Sequence, residues 1–207
     1  MKKLLVTTAA TLMTVAVFAQ GTVYFSNGAF NKISSGALAS ASSTWTLMPA
    51  TAGALDFGLF YGTGTTQPAT LSFAGVSGYN STANAGVIAN ATGGAITALP
   101  IPGTTPGEAD VWIQIAGWTA TFGTNWVAAK AAAQTTTGDY WGQSPVVNAG
   151  SLGPTTGPGA AIWQTATGTD PAKIAGGFAV FTGVPEPTTI TLAGLGVAAM
   201  LILRRRK

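Results

Sequence analysis

The stretch Ala109-Asp110-Val111-Trp112-Ile113-Gln114-Ile115-Ala116-Gly117-Trp118 decides the fold. Its bulky residues alternate, so on a strand Val111, Ile113 and Ile115 share one face and Trp112, Gln114, Ala116 and Trp118 share the other. Both faces are mostly apolar, which predicts a central strand of a sandwich with its second face partly covered.

Outward from this strand, short β-prone runs recur between Gly, Pro, Asn and Thr. Strands are predicted over Thr22–Ser26, Thr44–Met48, Leu55–Tyr61, Ala69–Val76, Val87-Ile88, Tyr140–Asn148, Ala161–Ala166 and Lys173–Thr182. In the third of these Leu55, Phe57, Leu59 and Tyr61 line one face, and Asp56, Gly58 and Phe60 the other. Ser34–Ser43 reads as loop, and Leu99–Gly107, with three prolines, as a long connection. Asn125–Gln134 is the one good helix, with Thr124 as its cap. The pattern predicts an all-β body over residues 20–183: a single antiparallel β-sandwich, jelly-roll-like. No fixed-period repeat is evident.

Composition narrows the chemistry. The 207 residues include no Cys and no His, and charged residues make up only 7% against 47% hydrophobic ones. Ser-His-Asp and Cys-His catalysis, zinc sites and histidine-ligated haem are therefore excluded, and no cofactor is expected. The net charge of +3 is misleading, because Lys2, Lys3, Arg204, Arg205, Arg206 and Lys207 all lie at the two ends. Between the ends, Lys32, Lys130 and Lys173 face Asp56, Glu108, Asp110, Asp139 and Asp170. No basic patch marks a nucleic-acid partner. Glu108 and Asp110, two apart, can hold a calcium ion or simply form a solvated loop end; the latter is the expectation, and no metal site is assigned. A hydrolase would need those carboxylates clustered. Asn80-Ser81-Thr82 and Asn90-Ala91-Thr92 match the N-glycosylation triplet.

The two ends read as targeting segments. Met1-Lys2-Lys3, an apolar run from Leu4 to Phe18 and a small residue at Ala19 form a signal peptide over residues 1–19, with a signal helix cut between Ala19 and Gln20. At the other end, Val184-Pro185-Glu186-Pro187 opens residues 184–207. Each proline fixes its own φ and biases the residue before it, so Pro185-Glu186-Pro187 is a stiff extended segment. Thr188–Leu203 follows without a charge; as a helix it spans roughly 24 Å at about 1.5 Å per residue, slightly short of a bilayer core of about 30 Å. Arg204, Arg205, Arg206 and Lys207 then hold the C-terminus in the cytoplasm and leave the body outside.

Pro-Glu-Pro, apolar helix and Arg-rich end, in that order, resemble the PEP-CTERM sorting signal of bacterial surface and secreted proteins. The resemblance implies recognition by exosortase, a membrane-embedded protease that cuts near Pro185–Pro187. The body's Gln20-Gly21-Thr22-Val23-Tyr24-Phe25, its Pro106-Gly107 before the Val111–Trp118 strand, and Trp141-Gly142-Gln143-Ser144 also resemble a group of PEP-CTERM proteins; this implies a β-sandwich of unknown role.

The expectation is a non-enzymatic surface or extracellular-matrix protein. It passes the secretory translocon, is anchored transiently in the inner membrane, and is released to the cell surface by exosortase. The alternative is a carbohydrate-binding module associated with exopolysaccharide. Its stacking surface would use Trp112 and Trp118, with Trp141 as a further candidate; a packed core face is the competing reading of that same pair.

Overall fold

In the computed structural model, residues 20–28, 30–37, 46–48, 50–51, 54–165 and 173–183 are described. The expected signal peptide with Ala19, the segment from Val184 to Pro187, the expected transmembrane helix and Arg204 to Lys207 lie outside them.

The strands are β1 (Thr22–Tyr24), β2 (Ser34–Ala37), β3 (Thr46–Leu47), β4 (Leu55–Thr63), β5 (Ser72–Asn80), β6 (Ile88–Ala89), β7 (Leu99–Pro100) and β8 (Val111–Thr119). A 3-10 turn at Ala120–Phe122 leads to helix α1 (Trp126–Thr135), then β9 (Tyr140–Gln143), β10 (Val147–Asn148), β11 (Ala160–Ala161) and β12 (Ala179–Thr182). Among the described residues they form a nine-stranded sheet, ordered β3-β2-β12-β9-β8-β4-β5-β6 with β10 also on β8, and a three-stranded sheet ordered β11-β1-β7.

The long strand β8 is central, as its two apolar faces require. β4 runs antiparallel along its whole length, from Leu55↔Thr119 to Thr63↔Val111. On its other edge β9 pairs with Ala116–Trp118 and β10 with Trp112 and Ile113. The single strand expected over Tyr140–Asn148 is thus two. Pro145 has no N–H to offer a ladder. Ser144 bridges the break instead: its hydroxyl accepts from the Ile115 N–H (3.0 Å) and donates to the Pro145 carbonyl (2.8 Å).

The sheets are mixed, which corrects the expected antiparallel sandwich. β12 runs parallel to β2, from Ala179↔Ser34 to Thr182↔Ala37, and β11 runs parallel to β1. Parallel neighbours need long crossovers, and here the chain's two halves supply them. Alternation along a strand reports which face is buried; it carries no information about a neighbour's direction. β2 itself falls in the expected loop: Ser34-Ser35-Gly36 has little strand propensity and is extended because β12 and β3 flank it.

The two faces of β8 bury into different clusters. Val111, Ile113 and Ile115 join Phe57 and Leu59 of β4 and meet Val23, Phe25 and Ile162 from the side of the small sheet. On the opposite face Ala116 and Trp118 join Phe60 and Trp141, and α1 covers them with Ala129 and Ala133. Those alanines are four apart, on one helix face, and small enough to let the helix lie close. The helix cap is Asn125 rather than Thr124: its side chain accepts from the Ala128 N–H at 3.2 Å. Away from the helix, buried Asn27 donates to the Asn31 and Gly86 carbonyls and accepts from the Ile88 N–H. One side chain thereby ties the loop after β1 to β6.

Candidate functional site

The two tryptophans that the sequence places on one strand face have different fates. Trp118 is fully buried. Its indole N–H donates to the Gly123 carbonyl (2.8 Å), and its ring stacks on Trp141 with centroids 6.0 Å apart. With no exposed surface it offers nothing to a sugar, so the pair Trp112 and Trp118 is not a stacking platform. Trp112 is half-buried, and its N–H is held by the Gly64 carbonyl at 2.8 Å.

A different aromatic surface is present. Trp141 stacks on Trp118 from one side and on Trp126 from another (6.0 Å, interplanar angle 29°). The three indoles lead from the core outward to α1, where Trp126 is half-buried. Phe60 meets Trp126 edge-on at 5.2 Å. Trp126 and Trp141 line a groove of about 450 Å³ between α1, the β4–β5 connection and the β8–β9 face. Its polar lining includes Gln67, Gln114, Gln143 and Lys130. The Gln114 amide donates to the Ser144 carbonyl (2.8 Å), and the Lys130 ammonium lies 5.7 Å from the Trp141 ring centroid. No carboxylate lines the groove. Sequence reasoning names Trp141 and misses Trp126. The spacing of Trp126 and Lys130, four apart in the helix, was the available signal.

The carboxylates do not assemble into one site around this groove. Glu108 accepts from the Thr105 N–H at 2.8 Å, closing its own turn. Asp110 sits at φ +59° just before β8 rather than on it. Asp170 lies outside the described residues. Among those residues no group of three or more acidic side chains is placed to hold a metal ion.

Asp56 is 7% exposed on β4, between β5 and β8. Burial raises its pKa from 3.8 to about 6, because the charged form loses water. The folded state therefore holds a proton that the unfolded state releases between those values. Stability from this group is complete below pH 3.8 and lost as pH rises through about 6. Asp56→Asn is expected to raise stability at pH 7.5 by on the order of 2 kcal/mol and to flatten the pH dependence; urea unfolding at pH 4.5 and 7.5 checks it. Equal pH dependence in both chains would reject the assignment.

Of the two glycosylation triplets, Asn80 is buried and its amide is engaged with Leu55 and Thr51. Asn90 lies in a surface turn, where its side-chain Oδ1 accepts from the Thr92 and Gly94 N–H groups.

The exit of the body is clamped. The Thr182 hydroxyl donates to the Thr136 carbonyl (3.0 Å) and accepts from the Gly138 N–H (2.7 Å). Gly183 is buried against the end of α1, where a Cβ would stand 2.6 Å from the Gln134 carbonyl carbon. An interior strand of the large sheet thus runs straight into the Pro-Glu-Pro segment. Such a chain is a β-rich passenger joined without a spacer to a C-terminal address. The address is one of a known family: residues 183–207 match the PEP-CTERM protein-sorting motif. That motif implies an exported protein with exosortase as its processing partner. No curated protein and no solved structure matches the chain.

Proposed function

We propose that the chain is a structural passenger of the cell surface or extracellular matrix, with no catalytic role. Residues 1–19 route it through the secretory translocon and are removed between Ala19 and Gln20. Thr188–Leu203 holds the precursor in the inner membrane, and exosortase then acts near Pro185, Glu186 and Pro187. The observation that carries this reading is the sorting motif at residues 183–207. Its attachment directly to β12 supports a body that folds outside the membrane and is delivered whole.

Arg204, Arg205, Arg206 and Lys207 set the orientation, because cations adjoining an apolar segment stay on the cytoplasmic side. Replacing all four with neutral residues is expected to impair membrane retention and cut processing by at least about tenfold. Intact mass of the protein recovered from cells reads both ends at once. Processing at the unaltered rate in that variant would count against the topology.

A further inference from the structure

The groove under α1 has the chemistry of a binding site for neutral polysaccharide. A pyranose ring presents an apolar face of C–H groups and a rim of hydroxyls. It needs an aromatic surface beneath and uncharged hydrogen-bonding groups around it. Half-buried Trp126 supplies the ring, backed by the buried Trp141 stacked on it, and Gln67, Gln114 and Gln143 supply the amides. The volume of about 450 Å³ falls within the ~300–1,000 Å³ usual for small-molecule sites.

The amides are available. Gln114 uses its NH2 on Ser144, which fixes the side chain and leaves its carbonyl oxygen without a donor among the described residues. Gln67 and Gln143 are exposed, and their side chains make no hydrogen bond within the described protein.

Other ligand classes fit less well. A lipid would leave the amides unpaired. A metal ion would find no carboxylate, and an anion would find a single cation already placed over Trp141. Residues 20–183 carry only three lysines and five carboxylates, in keeping with a partner recognised by stacking and neutral hydrogen bonds.

We infer that this groove, with Trp126 as its stacking surface and Gln67, Gln114 and Gln143 as its hydroxyl contacts, binds a neutral hexose polymer. The inference rests on the exported reading only for the ligand's presence in the same compartment. Binding by the purified full chain tests the groove, whereas processing in cells tests export, so the two fail separately.

The test is affinity electrophoresis of the detergent-solubilised full chain through gels containing hydroxyethylcellulose, soluble β-1,3-glucan, galactomannan or polygalacturonate. Retardation by at least one neutral polymer is expected. Trp126→Ala should weaken it about tenfold or more, and Gln143→Ala, at an exposed side chain with no structural bond, by about threefold. Trp112→Ala, outside the groove, should leave it unchanged. Urea midpoints of the variants separate lost binding from lost fold. The inference is overturned by no retardation in any neutral polymer, by retardation in polygalacturonate alone, or by Gln143→Ala and Trp126→Ala chains that are folded and retarded like the parent.

Discussion

Trp118→Ala is expected to remove about 3–5 kcal/mol of unfolding free energy, the usual loss for truncating a large buried aromatic. Trp118 has no exposed surface, and it touches both the strand layer and the aromatic layer under α1. The truncation leaves a cavity between Trp141 and Phe73, whose rings now stand 6.0 and 5.9 Å from its own. It also strips the Gly123 carbonyl of its partner. Against a total stability of roughly 5–15 kcal/mol for a domain, this is enough to unfold much of the population on mild heating. Trp112→Ala is the control on the same strand face. It loses one hydrogen bond at a half-buried site, and about 1 kcal/mol is expected. Urea midpoints of the two variants measure the difference. Similar losses would mean that Trp118 is not the core residue its burial makes it.

Gly142→Ala is expected to cost about 3 kcal/mol, for a different reason. Gly142 lies in β9, where β12 passes close. An added methyl would land on the Ala179 carbonyl oxygen and stand 2.7 Å from the Val180 Cα. Both obstacles are backbone, so no rotamer change relieves them. β9 must move away from β12, which loosens the pairs Phe181↔Trp141 and Thr182↔Tyr140. Gly28, with open space where a Cβ would stand and no left-handed φ, is the comparison; Gly28→Ala should change stability by less than about 0.5 kcal/mol. A Gly142→Ala protein with the parent's urea midpoint would show that β12 does not press on β9.

The parts of this fold legible in the sequence are those where one strand carries its own signal. Val111–Trp118 and Leu55–Tyr61 alternate strictly, and both their existence and their faces agree with the structure. Helix α1 was legible to within a residue because alanines crowd one segment. β2 was not, since Ser34-Ser35-Gly36 is extended only through its neighbours. Parallel pairing was not legible either, because direction is a property of two distant segments. The same distinction holds for the groove. The sequence shows Trp112 and Trp118 as a pair because they share a strand face. What unites Trp126 and Trp141 is the packing of a helix on a sheet, with the whole of α1 (Trp126–Thr135) and a loop between them in the chain. The sorting motif was legible because its signal lies in order along the chain, independent of folding.

The clamp at Thr182 and Gly183 also determines how the body responds to tension. Under the proposed anchoring of the tail, a pull on the body would be transmitted along β12, which is held by β2 on one edge and β9 on the other. Sliding that strand out shears bonds on both edges together instead of peeling them one after another. A tether fastened to an interior strand would therefore carry load, and the proposed cut beyond it would free the passenger without disturbing the seam that bore the load.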